Sequence, residues 1–235
     1  MLNPLSLFVT TSGDIYVDAY ISMGGVTKWT LNSTIGAPIM YGCHWCWDLF
    51  VDVSNTLYCS MYHLHQVVRK SLNSHSNVFS TVAGIRGKPG STSNMLNRPF
   101  GLFVDINFDL YVADTYNNRI QLFRLGQLHA TTVAGSGSST TTITLNHPTG
   151  IVVDADKYLF IVDSGNHRIV GSGPTGFRCL AGCSVSGGSA PHQLLNPLSL
   201  SFDSYGNMFV TDSENHRIQK FVLSTRLCSK FHKKI

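Results

Sequence analysis

Glutamate is almost missing from this chain. Of 235 residues, one is Glu (Glu214) against twelve Asp, and only nine are Ala. Charged residues reach 13%, about half the usual share. Glu, Ala and Lys are the residues that carry helices, so a helix bundle and a coiled coil are excluded. No run of eighteen apolar residues occurs, so no helical membrane span is expected. The start, Met1-Leu2-Asn3-Pro4, lacks the basic-then-apolar layout of a signal peptide. A dense basic patch is missing too. The net charge of +4 is thinly spread, and the one local cluster, Lys230, His232, Lys233 and Lys234, reads as a solvated tail. The six Cys, at 43, 46, 59, 179, 183 and 228, have no framework spacing, which leaves redox state and compartment open. What is present is 43% hydrophobic residues, 11% aromatic, 26 Ser, 19 Thr and 21 Gly. That aromatic content excludes a disordered chain, and the mixture favours strands joined by turns. The length suffices to bury roughly 70–75% of the unfolded surface without staples.

An internal period organises the chain. Leu96-x-x-Pro99 recurs as Leu145-x-x-Pro148 and Leu194-x-x-Pro197, at offsets of 49 and 49. The register then holds through Asp105, Asp154 and Asp203; Asp114, Asp163 and Asp212; Asn117, Asn166 and Asn215; and Arg119, Arg168 and Arg217. Two worn copies lie upstream, one near Asn3-Pro4 to Val17 and one from Trp47 to Val67. The second carries Met61 in place of the second Asp and Gln66 in place of Arg. Each copy reads as four short strands separated by Gly, Ser and Asp turns. Four strands in about fifty residues is the layout of a propeller blade, which must stack on neighbours to cover its faces. The expected architecture is all-β, one domain over 1–235, with blade units near 2–41, 42–95, 96–144, 145–193 and 194–235. The last unit's fourth strand would fall near Cys228 to His232, a polar stretch.

The string PFGLFVDINFDLYVADTYNNRIQLF at 99–123, with its counterparts at 148–172 and 197–221, resembles the NHL repeat. The resemblance implies a β-propeller. NHL propellers commonly have six blades, so the five units counted here form either a five-bladed ring or, the reading expected first, part of a six-bladed one.

The signature residues read first as builders of blades. Asp105, Asp154 and Asp203 sit where a carboxylate can accept the N–H groups of a tight turn. Asp114, Asp163 and Asp212 precede Arg119, Arg168 and Arg217 by five positions, so each pair can face across a hairpin through two N–H···O bonds. His65, His167 and His216 share one repeat position. Neutral imidazoles are zinc ligands, and the resemblance extends to peptidyl-hydroxyglycine lyases, which use a His-based zinc site. These three are therefore the metal candidates, set against the fact that His is common at that position in NHL repeats. Cys43-His44-Trp45-Cys46 has the spacing of half a zinc knuckle, but it reads first as two small buried residues at a blade junction.

No GxSxG, HExxH, GxxxxGK[ST] or GxGxxG motif is present. The function expected first is a non-catalytic scaffold that binds a protein or small ligand through loop residues differing between blades: Tyr62, His63, Arg86, Lys88, Tyr116 and Tyr205. Two alternatives stand beside it. One is an RNA-binding propeller of the kind associated with tripartite-motif ubiquitin ligases, which needs Arg69, Lys70, Arg86, Lys88, Arg98 and Arg124 on one face. The other is a metal-dependent lyase or hydrolase, and only that reading calls for zinc or calcium. The sequon Asn32-Ser33-Thr34 matters only if the chain is secreted.

Overall fold

The computed structural model describes residues 4–19, 24–74, 76–139, 143–184 and 186–222. All the sheets are antiparallel. Blade 1 contains β1 (Leu7–Val9), β2 (Ile15–Ala19), β3 (Gly25–Trp29) and β4 (Ala37–Tyr41). Blade 2 contains β5 (Leu49–Val51), β6 (Thr56–Met61), β7 (Gln66–Ser71) and β8 (Ser80–Gly84). Blade 3 contains β9 (Leu102–Val104), β10 (Leu110–Asp114), β11 (Arg119–Phe123) and β12 (Thr131–Gly135). Blade 4 contains β13 (Pro148–Val153), β14 (Leu159–Asp163), β15 (Arg168–Gly173) and β16 (Gly176–Ala181). Blade 5 shows β17 (Pro197–Phe202), β18 (Met208–Asp212) and β19 (Arg217–Phe221). The expected fourth strand near Cys228 lies outside the described residues.

The chain is a five-bladed β-propeller. The six-bladed ring expected from the resemblance is not supported: the described residues form five sheets, one for each of the five units. Inner strands pack in series, β1 on β5, β5 on β9, β9 on β13 and β13 on β17.

Strand alternation explains why the blades stack. In β10, Leu110 and Val112 pack toward blade 2, while Tyr111 and Ala113 pack toward blade 4. Each period-2 strand thus supplies two seams. Four apolar clusters result, one between each pair of consecutive blades. Among the described residues, the outer faces of blades 1 and 5 have no such cover. Leu7 is 63% exposed, whereas Leu102, at the same repeat position, is 3% exposed. Ile218 is 64% exposed where Ile120 is fully buried.

The signature carboxylates fix the turns and rims. Asp105 Oδ1 accepts the N–H groups of Asn107 and Asp109, and Asp52, Asp154 and Asp203 do the same in their blades. Asp114 accepts one bond from Arg119 Nε at 2.7 Å rather than the two expected. The rest of that guanidinium reaches back to the carbonyls of Ser91, Thr92 and Met95. Arg168 and Arg217 likewise donate Nε to Asp163 and Asp212. Each Arg therefore ties the loop before its blade to the strand hairpin within it. Blade 2 replaces the ion pair with a buried Gln66 amide donating to the Met61 sulfur at 3.1 Å.

Candidate functional site

In blades 2 to 5, the second and third strands are joined by a single 3-10 turn: Tyr62–Leu64, Thr115–Asn117, Ser164–Asn166 and Ser213–Asn215. Each turn ends in a left-handed residue, namely His65, Asn118, His167 and His216. The loops leading into the first strands emerge at the same end of the blades. One face of the propeller is built from these two sets of segments.

The left-handed residues latch blade to blade. His65 Nδ1 accepts the Arg98 N–H at 3.0 Å, Asn118 Oδ1 accepts the His147 N–H at 2.8 Å, and His167 Nδ1 accepts the Asn196 N–H at 3.1 Å. Asn and the His Nδ1 are interchangeable here because both are short acceptors that tolerate φ > 0. The hydrogen bond needs a neutral imidazole. Burial, with Arg98 and His63 nearby, holds the His65 pKa below its usual value. His216 has the same backbone conformation in blade 5. Among the described residues, these three histidines do not converge on one point. The side chains that do come together are Cys43, Cys46 and Cys59.

Aromatic side chains cover the face over blades 2 to 4. Trp47 stacks on Tyr62 at 4.6 Å between ring centroids and meets Phe100 edge-on at 5.2 Å. Tyr62 meets Tyr116 at 6.0 Å, and Tyr116 meets His147 at 5.1 Å. His63 lies edge-on to Trp45, Trp47 and Tyr62. The Arg98 guanidinium sits over two rings, 4.7 Å from the Tyr116 centroid and 5.5 Å from that of Tyr62. Burial raises the Tyr62 phenol, and the Tyr116 hydroxyl raises it further. The Tyr62 hydroxyl and then Arg98 pull the Tyr116 phenol below its ordinary value. Arg98 and His147 each precede a Pro and take positive φ, 52° and 47°. That region is disfavoured before Pro, and here it holds the two side chains on the surface. Among the described residues, the buried indole N–H of Trp47 has no acceptor. Asp48 takes the N–H groups of Leu49 and Leu102, and burial pushes its carboxyl up to about 7.

The expected contact residues therefore divide. Tyr62, His63 and Tyr116 belong to this face, and the hydrogen bond from Gly87 N to Leu64 O brings the Arg86–Lys88 loop to its rim. Tyr205, 90% exposed, lies in the turn between β17 and β18, at the opposite end of its blade. Trp45, Trp47, Phe100 and His147 were not among the expected contacts, and Arg98 was expected only under the RNA-binding alternative. The basic residues also divide. Arg98 is on the aromatic face, Arg124 follows β11 at the opposite rim, and Lys70 is buried with its ammonium near the carbonyls of Ser71 and Ser74.

The NHL repeat family model matches residues 145–171 and 194–221, the units of blades 4 and 5. The chain carries NHL repeats. No curated protein is significantly similar to this chain in sequence. Among solved structures, a protein of unknown function from Bacteroides thetaiotaomicron aligns at TM-score 0.70 and 15% identity, over 92% of this chain and 57% of that one. The nidogen/laminin complex contains a chain aligned at TM-score 0.69 and 17% identity, over 94% of this chain and 76% of that one. An auxiliary nutrient binding protein from Bacteroides ovatus aligns at TM-score 0.68 and 17% identity, over 94% of this chain and 59% of that one. The chain thus spans less than two thirds of the first and third of these. At such identities the likeness is one of fold. Among the described residues, no helix is long and apolar enough to cross a membrane.

Proposed function

We propose that this NHL propeller is a non-catalytic binding module and that it engages a protein or small-ligand partner through the aromatic face of blades 2 to 4. The observation that carries this reading is the chain of ring contacts from Trp47 through Tyr62 and Tyr116 to His147, roofed by Arg98. Tyr, Trp and Arg concentrate binding energy because they bury large areas at low entropic cost. Tyr116 and His147 are exposed, and Trp47, Tyr62 and Arg98 are half-buried, so the platform is preorganised and still accessible. Two structural neighbours agree in kind: one is a chain of a nidogen/laminin complex and one is described as nutrient-binding. The division of the basic residues between two rims argues against an RNA track, which needs them along one groove.

The test is unbiased peptide display against the immobilised protein, with the selected peptides measured by calorimetry. Tyr62→Ala and Tyr116→Ala are expected to weaken those peptides by about tenfold or more each, and Tyr205→Ala is expected to leave them unchanged. Peptides that lose affinity only with Tyr205→Ala would overturn the assignment.

A further inference from the structure

The seam between blades 1 and 2 holds a second cluster, remote in chemistry from the aromatic face. Cys43 and Cys46 lie in the loop between β4 and β5, and Cys59 lies on β6. All three are fully buried, and their sulfurs lie within 4.8 Å of one another. Cys46 and Cys59 form a disulfide, while Cys43 is a free thiol. Asp18, also fully buried, carries two carboxylate oxygens that have no hydrogen-bond partner among the described residues. The Cys46 N–H approaches it too loosely to count as one, and its charge is felt at the Cys43 thiol.

Register shows why these groups face each other. Asp18 occupies the position of Ser60, Ala113, Val162 and Thr211 in the other blades, which points toward the following blade. Cys59 occupies the position of Val112, Ile161 and Val210, which points toward the preceding one. A carboxylate thus stands where every other blade has an uncharged residue, and a thiol stands where blades 3 to 5 have an aliphatic one. An unpaired buried carboxylate is unfavourable until a proton or a cation meets it, and burial pushes the Asp18 carboxyl up to about 7.

We propose that, once the Cys46–Cys59 bond is reduced, Cys43, Cys46, Cys59 and Asp18 bind one zinc ion. The loop is already shaped for it. Gly42, His44 and Trp45 take positive φ, and Gly24 admits the turn, since a Cβ there would lie 2.7 Å from Trp45 N. Burial, and then the Asp18 charge, push the Cys43 thiol up to about 12 despite the Cys43 and Trp45 N–H groups, so it gives up its proton only to a metal. Tetrahedral zinc with bonds of about 2.3 Å places its sulfurs about 3.8 Å apart, so the three sulfurs need only side-chain rotation, and the Asp18 carboxylate, which lies outside their 4.8 Å group, must turn toward them. Reduction takes two electrons and two protons from a dithiol, which closes to its own disulfide. Zinc then displaces three protons from three thiols and accepts the Asp18 carboxylate as its fourth ligand. The disulfide and the metal site exclude each other, so the seam is stapled in either redox state.

The experiment uses the full chain with Cys179, Cys183 and Cys228 changed to Ser, so that only the three seam cysteines remain. It is reduced anaerobically with a phosphine, which becomes its oxide with water supplying the oxygen and protons, and is titrated with Co²⁺ and then Zn²⁺. The expected result is one equivalent of cobalt showing tetrahedral ligand-field bands and sulfur-to-cobalt charge transfer, both displaced by zinc. Cys43→Ala, which keeps the disulfide and folds oxidised, is expected to abolish those bands. Asp18→Asn is expected to weaken zinc by about tenfold or more. If reduction unfolds the protein, the melting temperature is compared after reduction with zinc or with a chelator. A higher melting temperature with zinc supports the site. No cobalt bands, bands that survive Cys43→Ala and Asp18→Asn together, or equal melting temperatures would overturn it.

Discussion

Blade 2 supplies its own experiment on the Asp–Arg signature. In blade 3, Asp114 is fully buried and Arg119 is 7% exposed. Burial raises the Asp114 carboxyl above its ordinary value despite the bonds from Asn97, Asn117 and Arg119. In blade 5, burial of Asp212 pushes the same way, but the Leu195, Asn215 and Arg217 donors outweigh it and lower the carboxyl. Changing Arg119→Gln strands the buried charge and is expected to cost about 3–5 kcal/mol. Arg217, 31% exposed at its side chain, leaves room for water to replace it, so Arg217→Gln is expected to cost about 1–2 kcal/mol. The decisive step is a second change. Adding Asp114→Met to Arg119→Gln recreates the Met61–Gln66 pair of blade 2 and removes the stranded carboxylate, although the Asn97 and Asn117 donors lose an acceptor. The double variant is expected to be more stable than Arg119→Gln alone by about 1–2 kcal/mol. Urea denaturation followed by circular dichroism measures all three. If Asp114→Met destabilises the Arg119→Gln background further, the stranded-charge reasoning is wrong.

Three more expectations follow from the same geometry. His65→Asn should preserve the latch to Arg98, as Asn118 does in blade 3, and should flatten the pH profile. A His whose folded pKa is lowered binds protons more readily unfolded, so stability is lost as pH falls through the unfolded value near 6.5. Melting temperatures between pH 5 and 8 check this, and a profile unchanged by the substitution would contradict it. Leu102→Ala should cost about 2–4 kcal/mol, while Leu7→Ala, at the same repeat position on an exposed face, should cost under about 0.5 kcal/mol; equal losses in urea midpoints would refute the uncovered face of blade 1. Gly135→Ala should cost about 2 kcal/mol or more. Its φ is +82° and an added Cβ would fall 2.2 Å from Asn118 O, so the outer strand would have to move; a neutral result in the same assay would refute that contact.

Much of the fold was legible because its determinants are local and repeated. Asp105 and its equivalents bind N–H groups two and four residues on, which spacing alone reveals. The Asp–Arg pairing was visible as a five-residue offset. The other bonds of Arg119, to carbonyls 24 to 28 residues back, depend on how a loop returns to its blade, which no offset encodes. The latch role of His65 was hidden for the same reason: its partner is a backbone N–H in the next blade. The binding face was half legible. Tyr62 and Tyr116 stand out as bulky residues inside a turn, whereas Trp47, Arg98 and Phe100 looked like loop residues. The available signal was that each sits just ahead of a first strand, at the end of the blade where the 3-10 turns emerge. The same strand order would have placed Tyr205 on the other rim. The Cys46–Cys59 pairing depends on which way β6 side chains alternate across a worn blade, and the missing signature there concealed the register.

The account's central claim is that the aromatic face of blades 2 to 4 receives the partner. Hydrogen exchange of the protein, free and bound to a display-selected peptide, tests it most directly. New protection is expected in segments 44–48, 61–66, 97–101 and 114–118, which bracket Trp47, Tyr62, Phe100 and Tyr116. Protection confined to the opposite turns at 105–109, 154–158 and 203–207 would contradict it.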